Sequence, residues 1–181
     1  MIQKKHWLTI ARILALILVI GISVFVYSIR DQVEEFAIYG YPGIFIISFL
    51  ANATVLLPAP GIAVVFAMGA IFNPFLVGLA AGAGGTLGEM SGYLAGFSGQ
   101  AVIERADIYD RMVSWMKRNG NLTILLLAAI PNPFFDLTGI AAGALKMPVA
   151  RFLFWCFLGI TFKMTLFALL GSASLTKIFN P

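Results

Sequence analysis

Glu89, Asp136 and Lys163 are ionisable side chains set inside long apolar runs. A charge at the centre of a bilayer costs at least about 2.5–3.5 kcal/mol, so groups of this kind need partners or water. Glu89 is suited to titrating a proton or gating a substrate, with Lys163 as its counter-charge or as a ligand for an anionic headgroup. The plainer alternative is a structural ion pair that locks two spans together. Asp136 follows Pro133 by three residues, where a helix would restart. A carboxylate there either caps the free N–H groups of a first turn or serves as a cation or proton site. Asn52, Asn132 and Thr138 are polar residues able to line the same pocket. Enzymatic chemistry finds no footing. The chain has no Gly-x-Ser-x-Gly, no His-Glu-x-x-His and no nucleotide-binding loop, and its one histidine, His6, stands in a basic tail. No metal and no cofactor are expected. The single Cys156 excludes an internal disulfide and reads as a small buried hydrophobe.

The elements that must position these residues are marked by proline. Leu57-Pro58-Ala59-Pro60-Gly61 is echoed by Ile130-Pro131-Asn132-Pro133-Phe134, and Gly69-Ala70-Ile71-Phe72-Asn73-Pro74 by Gly143-Ala144-Leu145-Lys146-Met147-Pro148. Pro58 and Pro131 are 73 positions apart, Gly69 and Gly143 are 74 apart, and the order is the same, which argues for an internal duplication. The same offset of 74 carries Glu89 onto Lys163. Proline donates no backbone hydrogen bond and disfavours helix at the preceding residue, so each pair breaks an apolar helix. In lipid, such breaks persist only where the freed backbone is buried in protein or lines a wet cavity. Paired breaks in two halves point to a transport site.

Composition agrees: 60% of the 181 residues are hydrophobic and 11% charged, with a mean hydropathy of +0.95. Soluble domains carry about 25% charged residues. The apolar runs are long and lack two-residue alternation, so the expected fold is an all-α integral membrane protein and not a barrel. The net charge of +4 sits in segments flanking the spans and indicates topology, with no nucleic-acid partner implied.

In chain order, residues 1–30 form a basic tail and an uncleaved anchor over 13–29, with a cytoplasmic N-terminus. Residues 30–36 are an interfacial segment, followed by turn and aromatic residues at Tyr39-Gly40-Tyr41-Pro42-Gly43. The first repeat covers about 38–97. Its arm, 43–57, is too short to cross comfortably and should turn at Pro58, Pro60 and Gly61 as a re-entrant hairpin, a straight kinked span being the competitor. Residues 75–97 are long enough to span, and Gly84, Gly88, Gly92 and Gly96 fall on one helix face, where another helix must pack closely. Residues 98–120 predict an amphipathic helix on the cytoplasmic surface, its bases setting topology or recognising lipid. The second repeat, about 121–171, holds a hairpin turning at Pro131 and Pro133 and a last crossing over 151–170 with Trp155 near one interface. If one hairpin enters from each side, the two are oppositely oriented and the repeat is inverted.

The block Gly84-Gly85-Thr86-Leu87-Gly88-Glu89-Met90-Ser91-Gly92-Tyr93-Leu94-Ala95-Gly96, between the Pro58–Gly61 and Pro131–Pro133 breaks, resembles the DedA / VTT-domain (SNARE-associated Golgi protein) superfamily. The resemblance covers most of residues 38–171 and makes 31–181 a membrane domain of that kind. It implies polytopic helices with two opposed re-entrant hairpins and translocation of a membrane lipid or lipid phosphate such as undecaprenyl phosphate. It also implies protons as a coupling ion. Asn52 stands where the resemblance leads one to expect an acid, and the second hairpin has no arginine, marking a divergent Pro-Asn-Pro-x-x-Asp branch. The function expected is therefore a multi-pass plasma-membrane transporter or flippase with membrane lipids as partners. A non-transporting scaffold supporting envelope integrity is the alternative, and a homo-oligomer is left open.

Overall fold

The computed structural model of the chain describes residues 37–53, 61–98, 106–132 and 134–179, and all regular structure among them is helical. The anchor over 13–29, the interfacial segment, Pro58, Pro60 and Pro133 lie outside the described residues. The helices are α1 (Ala37–Ala53), α2 (Gly61–Gly69), α3 (Pro74–Gly88), α4 (Met90–Ser98), α5 (Ala106–Ala129), α6 (Phe135–Ala144) and α7 (Val149–Phe179).

Only α7 passes as a membrane span by length and composition among the described residues, over Val149–Ser174. Its Phe154, Phe162 and Leu166 are exposed, as are Phe75, Leu79 and Leu94 on α3 and α4. Exposed apolar side chains of this size are what a lipid-facing surface presents.

Two expectations are corrected in detail. Residues 75–97 do not form one helix: α3 ends at Gly88 and α4 begins at Met90, with Glu89 at the joint, φ −61 and ψ −15. Glycine at 84, 85 and 88 removes the side-chain packing and the propensity that keep a helix straight. Tyr39–Gly43 is helical and not a turn, and Pro42 lies within α1. It forfeits one intrahelical hydrogen bond near the beginning of that helix. A second helical stretch runs on to Ala129, but the amphipathic segment itself ends at Asn119, φ −150 and ψ 67, one residue from the expected stop at Gly120. Its apolar face is covered at Met112 and Met116, which are buried, while Trp115 stays exposed.

The glycines set the packing. Gly84 and Gly88 lie against the α1 backbone at Phe45 and Phe49, whereas Gly92 and Gly96 lie against Asp136 and Ile140 of α6. The stripe thus serves two partners, α1 beside its first half and α6 beside its second. On the opposite side of α3, Gly78 and Gly82 meet Thr165 and Thr161 of α7. Four further close approaches come in two matched pairs. Gly69 meets Ala168 as Gly143 meets Tyr93, and Gly171 meets the Phe66 carbonyl as Gly96 meets that of Ile140. The pairs of neighbouring helices are α1 with α3, α3 with α7, α5 with α7, α2 with α7, α4 with α6 and α5 with α6.

Candidate functional site

Glu89 comes from the α3–α4 joint, Asp136 from the first turn of α6, and Lys163 from the middle of α7. The three lie within one another's electrostatic reach. Glu89 is 2% exposed, and its Oε1 has no hydrogen-bond partner. The backbone around it stays satisfied: its N–H donates to the Gly85 carbonyl at 3.1 Å, and its own carbonyl accepts from Tyr93 N–H at 3.1 Å. Oε2 abuts α6 at Gly139, where an added Cβ would sit 3.6 Å from it. Gly139 is one turn beyond Asp136, so one face of α6 presents a carboxylate and then a gap that admits the Glu89 side chain.

Lys163 is buried, and its Nζ stands 5.5 Å from the centroid of the Phe135 ring. Phe135 immediately precedes Asp136, so the lysine reaches the start of α6, where a cation over an aromatic face is favoured. Cys156, two turns before Lys163 on α7, is buried and faces the same charges. A carboxyl with one oxygen free of donors can hold or release a proton without breaking a hydrogen bond, and a nearby cation holds its ionised form in place. Among the described residues no group of three His, Cys, Asp or Glu side chains is placed to hold a metal ion.

The structure separates the remaining candidates. Asn52 on α1 donates to the Ser48 carbonyl at 2.8 Å and faces Gly85, one turn from Glu89. Thr138 is fully buried, its hydroxyl 3.9 Å from the Met112 sulfur, so it points to α5. Asn132 works on the backbone: its Nδ2 donates to Leu127 and Ile130 carbonyls at 2.7 and 2.8 Å, and its Oδ1 accepts from Phe134 N–H at 3.0 Å. It closes the C-terminus of α5 and precedes α6, on the rim of a 350 Å³ cleft that contains none of the three charges. Asn132→Ala is expected to lower stability by about 1 kcal/mol, the worth of a helix-capping side chain, seen as a lower unfolding midpoint in detergent.

Pro131 and Asn132 are non-helical, so the second break is present. Gly61 begins α2 after the undescribed residues 54–60. Asn73 and Pro74 start α3, with the asparagine Oδ1 accepting from Phe75 N–H at 3.0 Å. Sequence reasoning missed Ser48 and Thr161, whose buried hydroxyl oxygens also lack partners. It missed Phe135 and Gly139 as well, because nothing in their spacing tells that they abut a charge.

No curated protein and no solved structure matches the chain. The VTT domain model matches residues 57–173, which takes in Pro58 to Gly61, the break at Pro131, the Glu89 joint and most of α7. The chain belongs to the membrane-associated VTT-domain family, that of the DedA and SNARE-associated Golgi proteins.

Proposed function

We propose that the chain is a multi-pass transporter or flippase that carries a lipid or lipid phosphate past the Glu89, Asp136 and Lys163 cluster, with protons as the coupling ion. The observation that carries this reading is a buried carboxyl with a free oxygen, placed at a helix joint beside a second acid and a lysine. Structural charges alone would favour full pairing, since a buried unpaired oxygen costs free energy. A site that must exchange protons or substrate keeps one oxygen available as a hydrogen-bond acceptor.

The matched approaches of Gly69 and Gly143, and of Gly171 and Gly96, support an inverted repeat in which α2 and α6 are the inner limbs of two re-entrant hairpins. In that arrangement α2 rests on α7 and α6 on α4, so sliding of either limb alters the surroundings of the central charges. Arg111, Lys117 and Arg118, ahead of the bend of the amphipathic helix, support a cytoplasmic location for that side.

The test is a proteoliposome assay with fluorescent or phosphate-labelled lipids, with and without a pH gradient. The native chain is expected to move lipid faster when the gradient is imposed. Glu89→Gln is expected to reduce that rate by tenfold or more and to remove its dependence on the gradient. Lipid movement no faster than in protein-free vesicles would instead favour a scaffold. Unchanged coupling in Glu89→Gln would take the carboxyl out of the pathway.

A further inference from the structure

The bend in α5 and the turn between α6 and α7 enclose a cleft of about 580 Å³ whose lining holds Lys117, Arg118, Lys146 and Arg151 and no carboxylate. Lys117 and Arg118 immediately precede the bend at Asn119. Lys146 sits in the turn, and Arg151 in the first turn of α7. Four cations from two segments thus converge where α7, the helix of membrane length, begins at Val149. The start of a membrane-length helix is where hydrocarbon is expected to give way to water. Met116, Leu122 and Leu145 complete the lining with apolar surface.

The lysine in the turn is held at a cost. α6 closes with Met147 N–H donating to the Ala142 carbonyl at 3.0 Å and Lys146 N–H to the Gly143 carbonyl at 2.9 Å. This Schellman pattern puts Lys146 in the left-handed region, φ 52. Glycine is the usual occupant because an L side chain is strained there. The Tyr93 hydroxyl donates to the Met147 carbonyl and ties the turn to α4, so the ammonium group projects from a fixed backbone.

We propose that this cleft binds the phosphate group of an anionic membrane lipid. Four clustered cations with no carboxylate in the lining attract an anion, and the guanidinium groups of Arg118 and Arg151 match phosphate oxygens in geometry. The apolar part of the lining suits a molecule whose charged head continues into acyl chain, which inorganic phosphate lacks. Glu89, Asp136 and Lys163 are not among the lining residues, so the site stands or falls separately from the transport reading.

The test uses the full chain in neutral detergent micelles, with binding of labelled dioctanoyl phosphatidic acid measured against dioctanoyl phosphatidylcholine and sodium phosphate as competitors. Phosphatidic acid is expected to bind at least tenfold more tightly than phosphatidylcholine, and less tightly as salt rises. Lys146→Gly and Arg151→Gln should each weaken it about fivefold, the effect of one surface cation on an anionic lipid. Lys146→Gly relieves the left-handed strain, so its unfolding midpoint should equal or exceed that of the native chain, and the lost binding is then not misfolding. Equal affinity for the two lipids overturns the proposal, as does undiminished binding in a normally folded Lys146→Gly/Arg151→Gln chain. Competition by inorganic phosphate as strong as by phosphatidic acid would make this a soluble-anion site and overturn the lipid assignment.

Discussion

Lys163→Met is expected to destabilise the folded chain by about 3 kcal/mol, the scale on which removal of one buried charge strands its partners. Methionine keeps much of the stem length and volume, so the loss isolates the charge. Glu89 is 2% exposed, and Asp136 joins it in the same reach. Without the lysine two carboxyls face each other in an apolar surrounding. The Phe135 ring also loses the cation 5.5 Å from its centre. Adding Glu89→Gln to Lys163→Met should restore a large part of the loss, because the doubly substituted chain buries one carboxyl fewer beside Asp136. A double-mutant cycle on unfolding midpoints in detergent reads this coupling. Strictly additive losses would mean that the two residues do not share a field, and the site would lose its electrostatic coupling.

The second large effect concerns the seam between α4 and α6. Gly96→Ala and Gly143→Ala are each expected to destabilise by about 1–3 kcal/mol, as overpacking does. The added methyl at Gly96 would collide with the Ile140 carbonyl, and at Gly143 with the backbone of Tyr93 and Phe97. Backbone cannot rotate aside as a side chain can, so the helices must part. Parting them moves Asp136 away from the Glu89 joint, and lipid transport should fall together with stability. Gly43→Ala is the control: nothing lies within 4 Å of its added Cβ, and alanine in a helix is favoured over glycine by up to about 1 kcal/mol. If Gly96→Ala unfolds no earlier than Gly43→Ala, α4 and α6 are not packed as closely as these contacts require.

Much of the candidate site was legible before any coordinates. Glu89, Asp136 and Lys163 stand out because a charge in an apolar run is costly wherever the chain folds, and the break at Pro131 because proline denies helix by its own covalent structure. The glycine spacing announced close helix contact, but not its division between α1 and α6. Helical periodicity names a face and says nothing about what lies opposite. Asn132 shows the limit at one residue: a polar side chain after a proline is equally able to line a pocket or to cap a helix, and here its three hydrogen bonds go to backbone.

The amino-acid sequence by itself determined that this chain is helical and membrane-associated, that helix is interrupted at Pro131, and which three charges had to be accommodated. Those outcomes follow from side-chain solvation and backbone sterics, which act residue by residue. Tertiary structure alone decided that Lys163 reaches the Phe135 ring, that Glu89 falls at a joint between two helices, and that Lys117 and Arg118 meet Lys146 and Arg151 around one cleft. Contacts of that kind depend on which helices close against each other. The closure is set by the summed packing of glycines, threonines and aromatics from segments far apart in the chain, and no local pattern contains it.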